Sequence, residues 1–217
     1  ATSGSHWHYR RADKLLVLSE TMKKKIIEVT QVSDDKIIIL PKACEKIYEK
    51  DIYDKKLGSK FNKGFNIVFT GNISPAQSFS TILDAANRIK KSGINDINWI
   101  IVGDCMSRKW LEDEVSNVGL GDCFHFEGQN PIDDMPKYTG IADVLIGCLV
   151  KSDLLEATIP SKVTSYFAAG KPVVLAMDGE VRDLVNKTIK CGFAGPTEDS
   201  KILAQNIIRI YKLSTEE

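Results

Sequence analysis

The chain has 217 residues, 43% of them hydrophobic, enough for one well-filled core or one core plus a small appendage. Lys and Arg total 29 and Asp and Glu total 29, so the formal charge is zero, which argues against a nucleic-acid partner needing a basic excess. No run approaches the roughly 20 apolar residues of a spanning helix. No leader resembles a signal peptide, and five dispersed cysteines without a CxxC pair read as reduced thiols of a cytoplasmic protein.

Residues 1–11 read as a lead-in. Lys14–Leu18 is a predicted strand, followed by a helix that Ser19 caps, and Lys36–Leu40 is a second strand stopped by Pro41. The polar, lysine-rich stretch 42–63 reads as a linker. A regular series follows: strand Phe65–Thr70, turn at Gly71, helix Ala76–Lys91, strand Ile97–Val102 and a helix to Val118. Then come a short strand Cys123–Phe126 ending at Gly128, a small helix Pro131–Tyr138 and the strand Ala142–Cys148. Helix Ser161–Ala169, strand Pro172–Ala176, helix Val181–Asn186 and helix Asp199–Leu213 complete the chain. Continuous Ile/Val-rich strands alternating with helices imply an α/β fold, a doubly wound, Rossmann-like parallel sheet covered on both faces. Ligands of such sheets lie at the carboxyl ends of the strands.

Several loops at that edge carry groups suited to a phosphorylated ligand. The turn Gly71-Asn72-Ile73-Ser74-Pro75-Ala76-Gln77-Ser78 follows a buried strand and opens a helix, so its free N–H groups suit an anion. It reads equally as an ordinary turn with Ser74 as cap and Pro75 at the first helical position. Pro160-Ser161-Lys162 again opens a helix, with Ser161 as cap and Lys162 as a point charge, a combination that suits a diphosphate or forms a plain capped helix. Glu156 could accept hydrogen bonds from sugar hydroxyls or stand as a solvated loop acid. Gly103-Asp104, Glu127-Gly128-Gln129 and Gly179-Glu180 border the same edge, and the middle set offers backbone groups to a flat base. His125 reads as a packed histidine.

Taken in order, ADKLLVLSE (Ala12–Glu20), FTGN (Phe69–Asn72), GD (Gly103–Asp104), FEG (Phe126–Gly128), DMPKYTGIADVLI (Asp134–Ile146) and PSKVTSYFAAGKPVV (Pro160–Val174) resemble one protein family. It is the C-terminal half of the two-Rossmann-domain (GT-B) glycosyltransferases of family four, and the last motif looks like that of surface-polysaccharide and aminosugar transferases. The resemblance implies that 12–41 is the last strand–helix unit of an acceptor-binding N-terminal domain with the crossing strand, 42–63 a linker, and 64–217 the donor-binding domain. Pro160, Ser161 and Lys162 would lie by the donor diphosphate, with Gly71 and Asn72 flanking it and Gln77 beginning the helix behind. Glu127, Gly128 and Gln129 would border the base, Glu156 would lie near the donor sugar, and Ser165 stands where the family commonly has a ribose-binding glutamate. Asn72 and Gln77 replace the family's usual Arg and Lys, and Lys42-Ala43 replaces its usual Asn-Gly.

The implied reaction is transfer of a sugar from a nucleotide-diphosphosugar, a UDP-sugar by family habit, to a glycan or lipid-linked acceptor. No metal and no cofactor are implied, and no catalytic base can be named. The partners expected are the donor, the N-terminal acceptor domain and, through that domain, the inner face of the cytoplasmic membrane. Two other readings stand beside this one: a non-catalytic nucleotide- or partner-binding module of the same fold, and a nucleotide-sugar epimerase.

Overall fold

The computed structural model describes residues 3–49 and 52–215. Its strands are β1 (Leu15–Val17), β2 (Ile37–Ile39), β3 (Phe65–Thr70), β4 (Ile97–Val102), β5 (Phe124–Gly128), β6 (Val144–Cys148), β7 (Val173–Ala176) and β8 (Gly192–Gly195). The helices are α1 (Ser3–Arg11), α2 (Glu20–Thr30), α3 (Lys55–Lys60), α4 (Phe79–Lys91), α5 (Arg108–Asn117), α6 (Met135–Gly140), α7 (Asp153–Glu156), α8 (Ser161–Ala168), α9 (Glu180–Asp183) and α10 (Ser200–Thr215).

Strands β3 to β8 form one parallel sheet in the order β5-β4-β3-β6-β7-β8. Chain progress reverses between β3 and β6, which opens a crevice at their carboxyl ends. Alternate side chains divide the core in two. Phe65, Ile67 and Phe69 of β3, with Trp99 of β4 and Ile146 of β6, meet the apolar faces of α4, α5 and α10. Val68, Ile100 and Leu145 point the other way, against Tyr138 of α6, Val163 and Tyr166 of α8 and Val181 of α9. Burial on both faces is why these strands read as unbroken apolar runs.

β1 and β2 pair in parallel as a separate two-stranded sheet whose Val17 and Ile37 pack with Val32 beneath α2. Ser19 caps α2, its Oγ accepting from the Met22 amide at 3.0 Å, as its position before the helix predicts. That unit leans on the main domain. Ser19 Oγ donates to the Ala157 carbonyl at 2.7 Å, the Thr21 amide donates to Glu180 at 3.2 Å, and Lys25 Nζ donates to the Asp153 carbonyl at 2.9 Å.

Several elements differ from the sequence reading. The lead-in is helical from Ser3, with Arg10 donating to the Thr30 carbonyl. The stretch expected as linker holds a 3-10 turn, Lys46–Glu49, and α3, with Tyr48 and Phe61 buried. β8 is absent from the sequence reading, because in Gly-Phe-Ala-Gly only Phe193 favours a strand. It is pinned by Asn186, whose side chain donates to the Ala194 carbonyl and accepts from the Ala194 amide. The helix expected over Val181–Asn186 changes to π-helix over Leu184–Ile189, which carries Asn186 to that strand. The five cysteines are free thiols. Among the described residues no helix is long and apolar enough to cross a membrane.

Candidate functional site

Three loops continue the sheet's ladder beyond its carboxyl edge. The Gly71 amide donates to the Val102 carbonyl at 2.9 Å, Ile73 to Asp104 at 3.0 Å and Gly103 to Gly128 at 2.8 Å. The loops approach so closely that a side-chain carbon on Gly103 would lie 1.9 Å from the Gly71 carbonyl oxygen; Gly103 also has φ +143°, so both space and conformation require glycine. Beside this junction lies an open depression of about 450 Å³, lined in part by Gly71, Asn72, Gly103, Asp104, Gln129 and Asn130.

Helix α8 borders the same edge. Pro160, extended at φ −60° and ψ 139°, is its N-cap, and Ser161 is the first helical residue rather than the expected cap. Ser161 Oγ makes no capping bond and instead accepts from Lys42 Nζ at 2.6 Å. Tyr166 ties the helix to the end of β3: its buried hydroxyl accepts from the Thr70 amide at 2.9 Å, and burial pushes its pKa up to about 12. This bond seats α8 so that Lys162 reaches the Gly71 turn, where a carbon on Gly71 would stand 3.3 Å from Lys162 Nζ.

Lys162 is half-buried as a residue, but its ammonium is enclosed. Nζ donates to Gln77 Oε1 and lies 3.8 Å from the centre of the Phe69 ring. Burial pushes its pKa down to about 7, against a small opposing effect of the nearby Cys148. The enclosed ammonium has an amide and an aromatic ring as partners and no carboxylate among the described residues.

Gln77 does not begin a helix. It closes a 3-10 turn, Pro75–Gln77, and the chain then passes through Ser78 in the left-handed region at φ 42° before α4 starts at Phe79. Ser74 makes no side-chain capping bond. The kink therefore turns Gln77 toward Lys162 instead of continuing it along α4.

The remaining predicted residues separate into three groups. Gln129 is exposed and lines the depression with Gly71 and Asn72, whereas Glu127 is occupied: Lys60 Nζ donates to it at 2.6 Å and the Tyr138 hydroxyl at 3.4 Å. The Gly128 carbonyl accepts from Gly103 and from Asn130. Glu156 ends α7 on the side facing α9, its carbonyl so close to Gly179 that no side chain fits there, and its carboxylate has no partner among the described residues. Ser165 is buried and donates to Glu45 Oε2 at 2.9 Å. His125 packs as expected, edge-on to Phe61 and 3.2 Å from Asn98, with its pKa lowered by burial. Sequence reasoning passed over Asn130, Tyr166 and Glu45 as site residues and named Lys42 only as a departure from the family's usual Asn-Gly. Asn130 lies just past the quoted loop, and the other three act through contacts 96 to 120 residues away in sequence that no local pattern signals.

Comparisons with known proteins agree with this geometry. The family model for glycosyl transferases group 1 matches residues 50–217. A 2-deoxystreptamine glucosyltransferase of Streptomyces kanamyceticus is 25% identical over 215 residues, covering 96% of this chain and 54% of the relative. The chain thus spans about half the length of the curated relative it matches. A glycosyltransferase of Rickettsia africae superposes with a TM-score of 0.82 at 17% identity, over 99% of this chain and 58% of that one. HepE of Anabaena, solved with UDP, superposes with a TM-score of 0.79 at 19% identity, over 94% of this chain and 55% of that one. With a parallel sheet of six strands and a family-model match over residues 50–217, most of its length, the chain belongs to the group 1 glycosyl transferases.

Proposed function

We propose that this chain is the donor-binding half of a glycosyltransferase that takes a UDP-sugar and passes the sugar to a glycan or lipid-linked acceptor during cell-surface polysaccharide synthesis. The observation that carries the reading is the enclosed Lys162 ammonium at the first turn of α8, against Gly71 and without a carboxylate partner. A cation held beside free helix N–H groups suits the diphosphate that must leave the anomeric carbon. The depression lined by Asn72, Gln129 and Asn130 suits the nucleoside, and the unpaired Glu156 carboxylate suits sugar hydroxyls.

In this reading the acceptor hydroxyl attacks the anomeric carbon, the bond to the diphosphate oxygen breaks, and the nucleoside diphosphate departs with the electron pair while its phosphate oxygen takes up the hydroxyl proton. These residues contribute position and charge stabilisation of the leaving group. The donor domain would be 64–217 and the acceptor side would include 12–41 with residues beyond this chain, working at the inner face of the cytoplasmic membrane. Relatives support the choice of donor: HepE is solved with UDP and with UDP-glucose.

Calorimetric titration with UDP, GDP, ADP and UMP tests the reading. UDP should bind more tightly than UMP, and Lys162→Ala should remove most of that advantage, about 10- to 100-fold in Kd for a charge-assisted contact to phosphate. Equal affinity for UDP and UMP in the unaltered protein would sink it.

A further inference from the structure

The stretch between β2 and α3, polar enough to pass for a linker, lies across the first turns of α8 through two contacts. Lys42 Nζ donates to Ser161 Oγ at 2.6 Å, and Glu45 Oε2 accepts from Ser165 Oγ at 2.9 Å. Ser161 and Ser165 are one turn apart on the same face of the helix, and Ser165 Oγ also reaches the Ser161 carbonyl at 3.2 Å. The serines are thus spaced to receive two residues of opposite charge.

Lysines of this molecule divide between charged and neutral partners, and Lys14, Lys36 and Lys90 bond backbone carbonyls. Lys23, Lys60, Lys109, Lys137 and Lys187 each reach a carboxylate. Lys42 bonds a hydroxyl of the α8 first turn and Lys162 projects from that turn, and both have only neutral partners among the described residues: a serine hydroxyl for one, an amide and a ring for the other. Lys42 on Ser161 and Lys162 beside Gly71 thus both lie at the first turn of α8, the positive end of that helix. Glu45 has a different setting. It stands one turn deeper, half-buried, beside the buried Tyr48, whose hydroxyl is pushed up by burial first and by Glu45 second. Among the described residues its carboxylate makes one hydrogen bond, which uses one oxygen of a group with about four acceptor positions and leaves capacity for a diol.

We propose that the segment from Lys42 to Glu45 belongs to the donor site: Lys42 moves from Ser161 onto the diphosphate, and Glu45, held by Ser165, accepts hydrogen bonds from the ribose hydroxyls. The proposal rests on the donor-site reading above and deepens it. Lys42 supplies the second cation that the Gly71 turn lacks, where Asn72 and Gln77 are neutral. Ser165 positions a carboxylate brought from another segment.

The test is calorimetry of the 217-residue protein with UDP, inorganic pyrophosphate and 2′-deoxy-UDP, with Lys42→Met, Lys42→Arg and Glu45→Gln, each checked for unchanged thermal unfolding. Lys42→Met should weaken UDP and pyrophosphate about tenfold, the worth of one charged contact, while Lys42→Arg keeps most of the affinity. Glu45→Gln should weaken UDP several-fold and leave pyrophosphate unchanged. Because 2′-deoxy-UDP lacks one of the hydroxyls, it should bind the unaltered protein less tightly and lose less on that substitution. UDP binding unaffected by Lys42→Met and by Glu45→Gln would overturn the proposal and leave the donor site itself standing. Failure of the unaltered protein to bind any nucleoside diphosphate would overturn both.

Discussion

Lys162 shows how one side chain can register both stability and ligand. Burial has pushed its pKa down to about 7 from an ordinary value of 10.5, so between those two pH values the unfolded chain binds more protons than the folded one. Stability against urea should therefore rise as pH increases from 7 toward 10, and Lys162→Met should flatten that rise. Binding has the opposite sign. A bound diphosphate favours the ammonium, so above pH 7 the protein must take up a proton to bind. Phosphate groups are fully ionised there, their last pKa being about 6. Affinity for UDP should fall from pH 7 to pH 9, and calorimetry in buffers of different ionisation heat should report proton uptake. A pH-independent affinity over that range would mean that Lys162 is already fully charged in the free protein. Gly103 is the second residue that decides the site. Gly103→Ala must relieve a 1.9 Å contact with the Gly71 carbonyl at a backbone angle that disfavours side chains. It should cost about 2–4 kcal/mol in urea unfolding and weaken UDP together with stability.

Among the elements, α8 is placed by its interior rather than by its cap. Ser161 looked like a cap because Ser precedes many helices, yet Pro160 takes the N-cap position and leaves the serine hydroxyl to Lys42. The helix is instead registered by Tyr166, whose hydroxyl accepts from the Thr70 amide at the last position of β3. Tyr166→Phe should leave that buried amide unpaired and cost about 1–3 kcal/mol in urea unfolding. It should also weaken UDP, because the same bond aligns Lys162 with Gly71. A Tyr166→Phe protein as stable as the unaltered one would assign the registration to apolar packing alone. The Gly71 turn and β8 carry the same lesson. Pro75 after Ser74 reads locally as a helix start, but the chain kinks through Ser78 and starts α4 at Phe79. β8 is made by its neighbours, since Asn186 on the preceding π-helical turn satisfies the Ala194 backbone in both directions.

For the whole molecule, the contrast lies between a sheet covered on both faces and a small one that is not. β1 and β2 bury Val17 and Ile37 but leave Leu16 and Ile38, which pair with each other across the two strands, at 65% and 45% exposure. A parallel pair normally has both faces covered, whereas this face is apolar and exposed. The protein should bind a hydrophobic dye such as ANS in its native state, and the double substitution Leu16→Lys with Ile38→Lys should reduce that binding with little change in urea midpoint. Unchanged dye binding would move the exposed surface elsewhere, to Met106 or Leu154. The contacts of Ser19 and Thr21 with Ala157 and Glu180 hold this unit at the carboxyl edge of the main sheet, so the stretch from Lys42 onward starts beside α8.

The sequence alone determined the parallel α/β architecture, because strands buried on two faces must be apolar throughout and their crossover helices must separate them at regular intervals. It also points to the carboxyl edge of the sheet and to the two openings, at Gly71 and at Pro160, that lie along it. Tertiary structure alone decided which side chains of those openings meet. Lys162 with Gln77, Tyr166 with Thr70, Lys42 with Ser161 and Glu45 with Ser165 are pairs separated by 85 to 120 residues. Periodicity reports which face of an element is buried, but it holds no information about the partner on that face. The same limit explains Glu127, expected to border a base, whose carboxylate instead meets Lys60 of α3 and Tyr138 of α6.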